Sequence, residues 1–282
     1  MNRHLIAVDL DGTLLTDNKT ISRRNAAALA KARELGHEVV IATGRPYRAS
    51  AQYYRELFLQ TPIVNFNGAF VHSPKDRSFE NSHRPLDEET AKTIIRTCEA
   101  FQVKNIMVEV MDDFYLRHLN RGFADAFTLG TSPVDYGNLE KLLNADPTSI
   151  LIHPEEGQEK ELTALLNDAH AEATEQRNWG APWNVIEIVR GGVNKAAGLS
   201  KVAAHLDIPK DRIIAFGDED NDLEMIDYAG TGVAMGNAID PLKSIANETT
   251  FTNEEDGIAR FLEERLKFTT NTASEQLDRS GD

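Results

Sequence analysis

Near the start of the chain, four apolar residues, Leu5-Ile6-Ala7-Val8, run straight into Asp9, and Asp11-Gly12-Thr13 follows. A short apolar run closed by a turn signal reads as a strand buried on both faces, which is the habit of parallel sheets. In open parallel sheets, ligands gather beyond the carboxyl ends of the strands. Two aspartates at such an end are costly unless a counter-charge joins them. Hard oxygen donors suit magnesium, and a carboxylate can also act as a covalent nucleophile. An isolated Asp-Gly pair is more often a plain turn, so the rest of the chain has to decide between these readings.

The same rhythm continues. Ser22 predicts a helix cap before Ala26, Leu29, Ala30, Ala32 and Leu35, with Gly36 as the stop. Val39–Ala42 predicts a second buried strand, ending at Thr43-Gly44-Arg45-Pro46. Pro46 suits the first turn of a helix running to about Leu59. Pro62–Phe66 predicts a third strand, closed by Asn67-Gly68. Alternating strands and helices point to a parallel sheet with helices on its faces.

The rhythm changes near His83. Asp87 can cap a helix carrying Ile94, Ile95, Cys98 and Phe101. Ile106–Met111 and Phe114–Leu116 flank Asp112-Asp113 and predict a hairpin. Ser149–His153 and Trp183–Val189 predict further strands, around a charged helix over 155–173 with Leu162, Leu165 and Leu166 inward. These elements describe an inserted α+β domain at 84–186. The first pattern returns from Gly191: a helix capped by Asn194, a buried strand at Ile213–Phe216 ending at Gly217-Asp218, and a last helix at Ile258–Leu266. The expected division is a core of 1–83 and 187–268, a cap of 84–186, and a frayed polar tail of 269–282.

The expected strand ends bring chemistry together. Asp218 and Asp222 lie in an acidic run directly after an apolar strand, at the same sheet edge as Asp9 and Asp11. Uncompensated, each such buried charge costs on the order of several kcal/mol, which calls for a cation. Thr43-Gly44 offers a hydroxyl and a backbone N–H at a helix start, a natural phosphate seat. Lys195 stands at another helix start, against the dipole, and a partner of opposite charge would explain it.

Composition narrows the partners. The chain has 45 acidic and 30 basic residues, a net charge of −15, which argues against nucleic acid or an anionic membrane as the main partner. A single cysteine, Cys98, excludes an intrachain disulfide. No apolar stretch approaches the length of a membrane span, and a strand starting at residue 5 leaves no room for a signal peptide, so a cytoplasmic location is expected.

The order Asp-x-Asp-Gly-Thr, Ala-Thr-Gly-Arg, Asn-Gly-Ala, Val-Asn-Lys and Gly-Asp-x-x-Asn-Asp resembles the haloacid dehalogenase-like phosphatase superfamily. The insertion after Asn67-Gly68-Ala69 resembles its Cof-type branch. The resemblance spans about Leu5 to Leu262 and implies a Rossmann-like parallel core with an α+β cap. It implies that Asp9 is the nucleophile and a magnesium ligand. Asp11 would be the proton donor and acceptor, binding magnesium through its carbonyl. Asp218 would be the third metal ligand. Leu10 (through its N–H), Thr43, Gly44, Lys195 and Asn221 would hold the phosphate, and Asp222 would steady Lys195 or a metal-bound water. The implied activity is Mg2+-dependent hydrolysis of small phosphorylated metabolites through an aspartyl-phosphate, with sugar phosphates the first guess. A phosphomutase, a nucleotide or cofactor phosphatase (FMN, pyridoxal phosphate) and a phospholigand sensor are the alternatives. A monomer or weak homo-oligomer is expected. Asp113, Tyr115, Arg117 and His118 are the candidates in the cap.

Overall fold

The structure, a computed structural model, describes residues 3–119, 131–170, 174–178 and 184–270. Nearly all of the expected tail, Trp183 and the end of the expected 155–173 helix lie outside these residues. The described chain forms two compact units. One comprises Met1–Gly44, Ala51–Asn81 and Asn194–Asp282, the other Arg45–Ser50 and Ser82–Val193.

The first unit is built on an all-parallel sheet of five strands, in the order Glu248–Thr249, Thr231–Ala234, Ile213–Gly217, Leu5–Val8 and Glu38–Ile41. Leu5–Val8 is an interior strand, paired on both sides, and its four residues are fully buried, as an uninterrupted apolar run requires. Its register pairs Val8 with Phe216 on one side and Ile41 on the other. The strand ends carrying Asp9, Asp218 and Ala42-Thr43 therefore emerge level at one edge. Beyond Ala42, a parallel bridge to Val64 attaches the Ile63–Asn65 strand.

The helices form where caps and apolar spacing predict them. Ser22 accepts from the Asn25 N–H and starts Arg23–Glu34, which buries Ala28, Leu29 and Ala32. Asn194 accepts from the Ala197 N–H and starts Lys195–His205. Gly257–Leu266 ends the described helices of this unit. Short elements add to the expected set. A strand Phe70–His72 folds back on Ile63–Asn65, and Asp240–Ile245 and Glu248–Thr249 extend the far edge. Each is too short to leave a periodic signature.

The second unit holds a mixed sheet in the order Thr174–Asn178, Ile186–Arg190, Ser149–His153, Asn105–Val110, Asp113–Leu116 and Asp135–Tyr136. Every pair is antiparallel except the last. Helix Glu88–Ala100, capped by Asp87, contributes Ile94, Ile95 and Cys98 to one core cluster. The expected long helix is Glu159–His170 among the described residues, with Leu162 and Leu166 inward. Leu165, expected inward, is 42% exposed. Leu162 and Leu166 are one turn apart and define the buried stripe, and Leu165 falls to its side. No helix among the described residues is long and apolar enough to cross a membrane.

Candidate active site

Two neighbouring strands of the first unit deliver acids to one place. Asp9 extends the Leu5–Val8 strand, its N–H donating to the Phe216 carbonyl (3.2 Å). Asp218 follows the neighbouring strand, and Asp222 returns to it through a short 3-10 turn. Asp9, Asp218 and Asp222 are 5%, 6% and 0% exposed, and each offers a carboxylate oxygen within 4.8 Å of the others. Lys195, also fully buried, places its Nζ 2.7 Å from an oxygen of Asp9 and 2.7 Å from one of Asp222. The unfavourable start of its helix thus has its reason: two carboxylates hold the ammonium there.

Asp222 spends both oxygens on anchoring. One takes the Lys195 ammonium, and the other accepts from the backbone N–H groups of Asp218 (3.0 Å) and Glu219 (3.3 Å). Asp218 accepts from the Thr13 hydroxyl at 2.7 Å. Gly12 stands above it with φ of +74°, and a Cβ there would come 2.1 Å from an Asp218 oxygen, so only glycine fits. Asn237 closes the far side, donating to the Gly12 carbonyl at 2.8 Å.

The charges do not balance. Burial pushes the Asp9 carboxyl well above the usual carboxylate range, and Asp222 and Asp218 push it the same way against Lys195. Burial raises Asp218 to about 7, against the Thr13 hydrogen bond. Burial works to lower the Lys195 ammonium, but Asp222 and Asp9 outweigh it and hold the group above its ordinary value. Three carboxylates thus share one ammonium, and the unmet demand is for more positive charge. Oxygen donors with a charge deficit fit a hard dication such as magnesium, with Asp9 and Asp218 as the carboxylates to hold it.

The remaining expected residues surround this cluster in part. Thr43 is buried, its N–H donating to Val64 and its carbonyl accepting from the Asn67 N–H (3.0 Å). Asn221 donates to Asn67 Oδ1 at 2.9 Å. The Leu10 carbonyl accepts from the Thr13 and Leu15 N–H groups, and its side chain is buried. The Asp11 side chain stands apart from the buried group. It is half-exposed and accepts from Lys19 Nζ at 2.8 Å. Sequence reasoning passed over Thr13, Asn67 and Asn237 as site residues. Thr13 and Asn67 lie inside quoted motifs, whereas Asn237 carries no local signal.

Among the cap candidates, Asp113 and His118 are exposed, Arg117 Nε lies 3.7 Å from Glu99, and Tyr115 packs against the apolar core.

Comparison with known proteins places this arrangement. A sequence profile of haloacid dehalogenase-like hydrolases matches residues 6–262. YitU of Bacillus subtilis, a 5-amino-6-(5-phospho-D-ribitylamino)uracil phosphatase, is 51% identical, covering 93% of this chain and 97% of the relative. The pyridoxal phosphate phosphatase YbhA of Escherichia coli is 31% identical, covering 94% of this chain and 100% of the relative. The crystal structure of a haloacid dehalogenase-like hydrolase from Bacteroides thetaiotaomicron superposes with a TM-score of 0.82 at 26% identity, covering 93% of this chain and 99% of that one.

Proposed function

We propose, from the premise that this chain belongs to the haloacid dehalogenase-like hydrolase family and is a phosphatase, that it is magnesium-dependent and works through an aspartyl-phosphate. The observation that carries this reading is the buried ammonium of Lys195 shared by Asp9 and Asp222, with Asp218 alongside. Asp9 and Asp218, with the Asp11 carbonyl, would hold the metal. When bound, magnesium supplies charge neutralisation for the phosphoryl oxygens.

Asp9 attacks phosphorus through one carboxylate oxygen, and the bond from phosphorus to the leaving oxygen breaks. Asp11 gives that oxygen its proton. Asp11 then takes a proton from water as the water oxygen attacks phosphorus, the acyl-phosphate bond between the Asp9 oxygen and phosphorus breaks, and inorganic phosphate leaves with the Asp9 carboxylate restored. Asp11 suits both tasks because its side chain stands at the solvent side of the cluster, where Lys19 holds it only through an exposed pair. Lys195, Thr43, Gly44, Asn221 and the Leu10 N–H position the phosphate. Phosphoryl transfer depends on such positioning and charge neutralisation more than on covalent machinery.

For the substrate, we propose the phosphorylated ribitylaminouracil class, on the strength of the 51% identical Bacillus subtilis relative. The test is phosphate release by the purified protein, with magnesium, across a panel containing 5-amino-6-(5-phosphoribitylamino)uracil, pyridoxal phosphate, FMN and hexose phosphates. The highest kcat/KM on the first compound is expected. A higher value on a sugar phosphate would move the assignment there, and no phosphate release from any compound would favour a phospholigand sensor.

A further inference from the structure

The turn Phe66-Asn67-Gly68 is under backbone strain and touches three separate parts of the site. Its residues have consecutive φ values of 50°, 54° and 98°. Asparagine and glycine accept that region, but a phenylalanine there is an outlier that surrounding structure must hold in place. The Phe66 ring, 1% exposed, supplies the anchor. Strain of this kind concentrates at functional sites.

What the turn touches gives it a use. The Asn67 N–H donates to the Thr43 carbonyl at 3.0 Å. A Cβ on Gly44 would lie 3.1 Å from Asn67 Nδ2, so the Asn67 amide lies flat against that glycine. Asn67 Oδ1 accepts from Asn221 Nδ2 at 2.9 Å. A Cβ on Gly68 would fall 2.3 Å from the carbonyl oxygen of Asn194, the cap of the Lys195 helix. Asn67 is 2% exposed. One buried residue therefore connects Thr43-Gly44 and Asn221, groups of the candidate phosphate seat that come from two different loops.

We infer that Asn67 is a positioning residue for phosphate. By accepting one N–H of Asn221 it fixes the plane of that amide and leaves the second N–H to donate to a phosphoryl oxygen, while its backbone and face hold Thr43-Gly44 at the matching distance. This rests on the phosphatase reading above. The left-handed turn is the device that carries the amide into place.

The test is a coupling measurement in magnesium buffer. Asn67→Gly keeps the φ region and removes the amide. Its Kd for inorganic phosphate, measured by titration calorimetry, should rise about tenfold, the scale of one hydrogen bond to a charged group. Asn221→Ala should cost a similar factor, and the double variant should cost little more than Asn221→Ala alone, because Asn67 acts through Asn221. The rise in thermal midpoint on adding magnesium should match wild type in both variants, which a general loosening of the site would not allow. Asn67→Asp also tolerates the turn and sets a carboxylate beside the phosphate, so its Kd should rise by more than that of Asn67→Gly. Wild-type affinity in Asn67→Gly and Asn67→Asp, or multiplied losses in the double variant, would overturn the proposal while leaving the phosphatase reading intact. A wild-type protein that neither binds nor releases phosphate would overturn both.

Discussion

Two acidic turns in this molecule follow buried strands, and they end in opposite ways. After Asn105–Val110 come Met111, Asp112 and Asp113, all exposed. After Ile213–Gly217 come Asp218 and Asp222, both buried, beside a buried lysine. The first turn joins antiparallel neighbours, so the returning strand closes it at once and its acids stay at the surface, where Asp112 accepts from the Arg48 N–H at 2.7 Å. The second leaves a parallel strand, whose next neighbour is reached only by a crossover. Its end stays open to groups from adjacent strands, and Asp9 and Lys195 fill that opening. A run of acids in a sequence says little about burial, and the direction of the next strand says a good deal.

The contrast can be attacked directly. Asp9→Asn should lower kcat on an aryl phosphate by a factor on the order of 10³ or more, with the fold intact by circular dichroism. Asp112→Asn should stay within about twofold of wild type, since surface substitutions rarely matter. Equal losses in the two would erase the distinction.

Chelation comes next. EDTA should remove activity and magnesium restore it, and magnesium should raise the thermal midpoint of wild type but not of Asp218→Asn, since a ligand stabilises only the state that binds it. Full activity after exhaustive chelation would leave the buried acids without the cation assigned to them.

Smaller is the effect on stability. Lys195→Met leaves buried carboxylates uncompensated and should cost about 3–5 kcal/mol in urea denaturation. Lys19→Met breaks a half-exposed pair with Asp11 and should cost less than about 1 kcal/mol. Comparable losses would mean that burial does not set the value of a charge here.

Last is pH. Asp218 has its folded value raised by burial to about 7 from an ordinary 3.8, so the metal-free fold holds a proton that the unfolded chain gives up. Stability is therefore full below about pH 4 for this group and is lost as pH rises toward about 7. Urea midpoints without magnesium should fall across that window, and Asp218→Asn should flatten the slope. A midpoint that rises there in wild type and not in the variant would reverse the sign.

The sequence exposes one of these turns better than the other, for a physical reason. Asp9 and Asp218 are legible because the apolar strand and the acid ending it are adjacent in the chain. Lys195 is legible because it violates the helix dipole. Asn237 is invisible because its value comes from the Gly12 carbonyl, which folding alone brings near. The amide of Asn67 likewise gains its meaning from Asn221. The sequence offers Tyr115 through its chemistry alone; in the fold it alternates with buried Phe114 and Leu116 on a strand and packs on the apolar cluster. Leu165 shows the limit of periodicity, since three leucines on one helix do not all fit the buried stripe.

The central pairing of Leu5–Val8 with Ile213–Phe216 bears on how the protein is born. A ribosome releases Leu5–Val8 well before Ile213–Phe216, so the earlier strand waits with one flank unpaired. Nearly all of the second unit, Ser82–Val193, is a continuous stretch that can complete itself during that wait. Mutations that slow that intermediate stretch would thus prolong the exposure of a bare apolar edge, and they would show as aggregation of nascent chains before any loss of enzyme turnover.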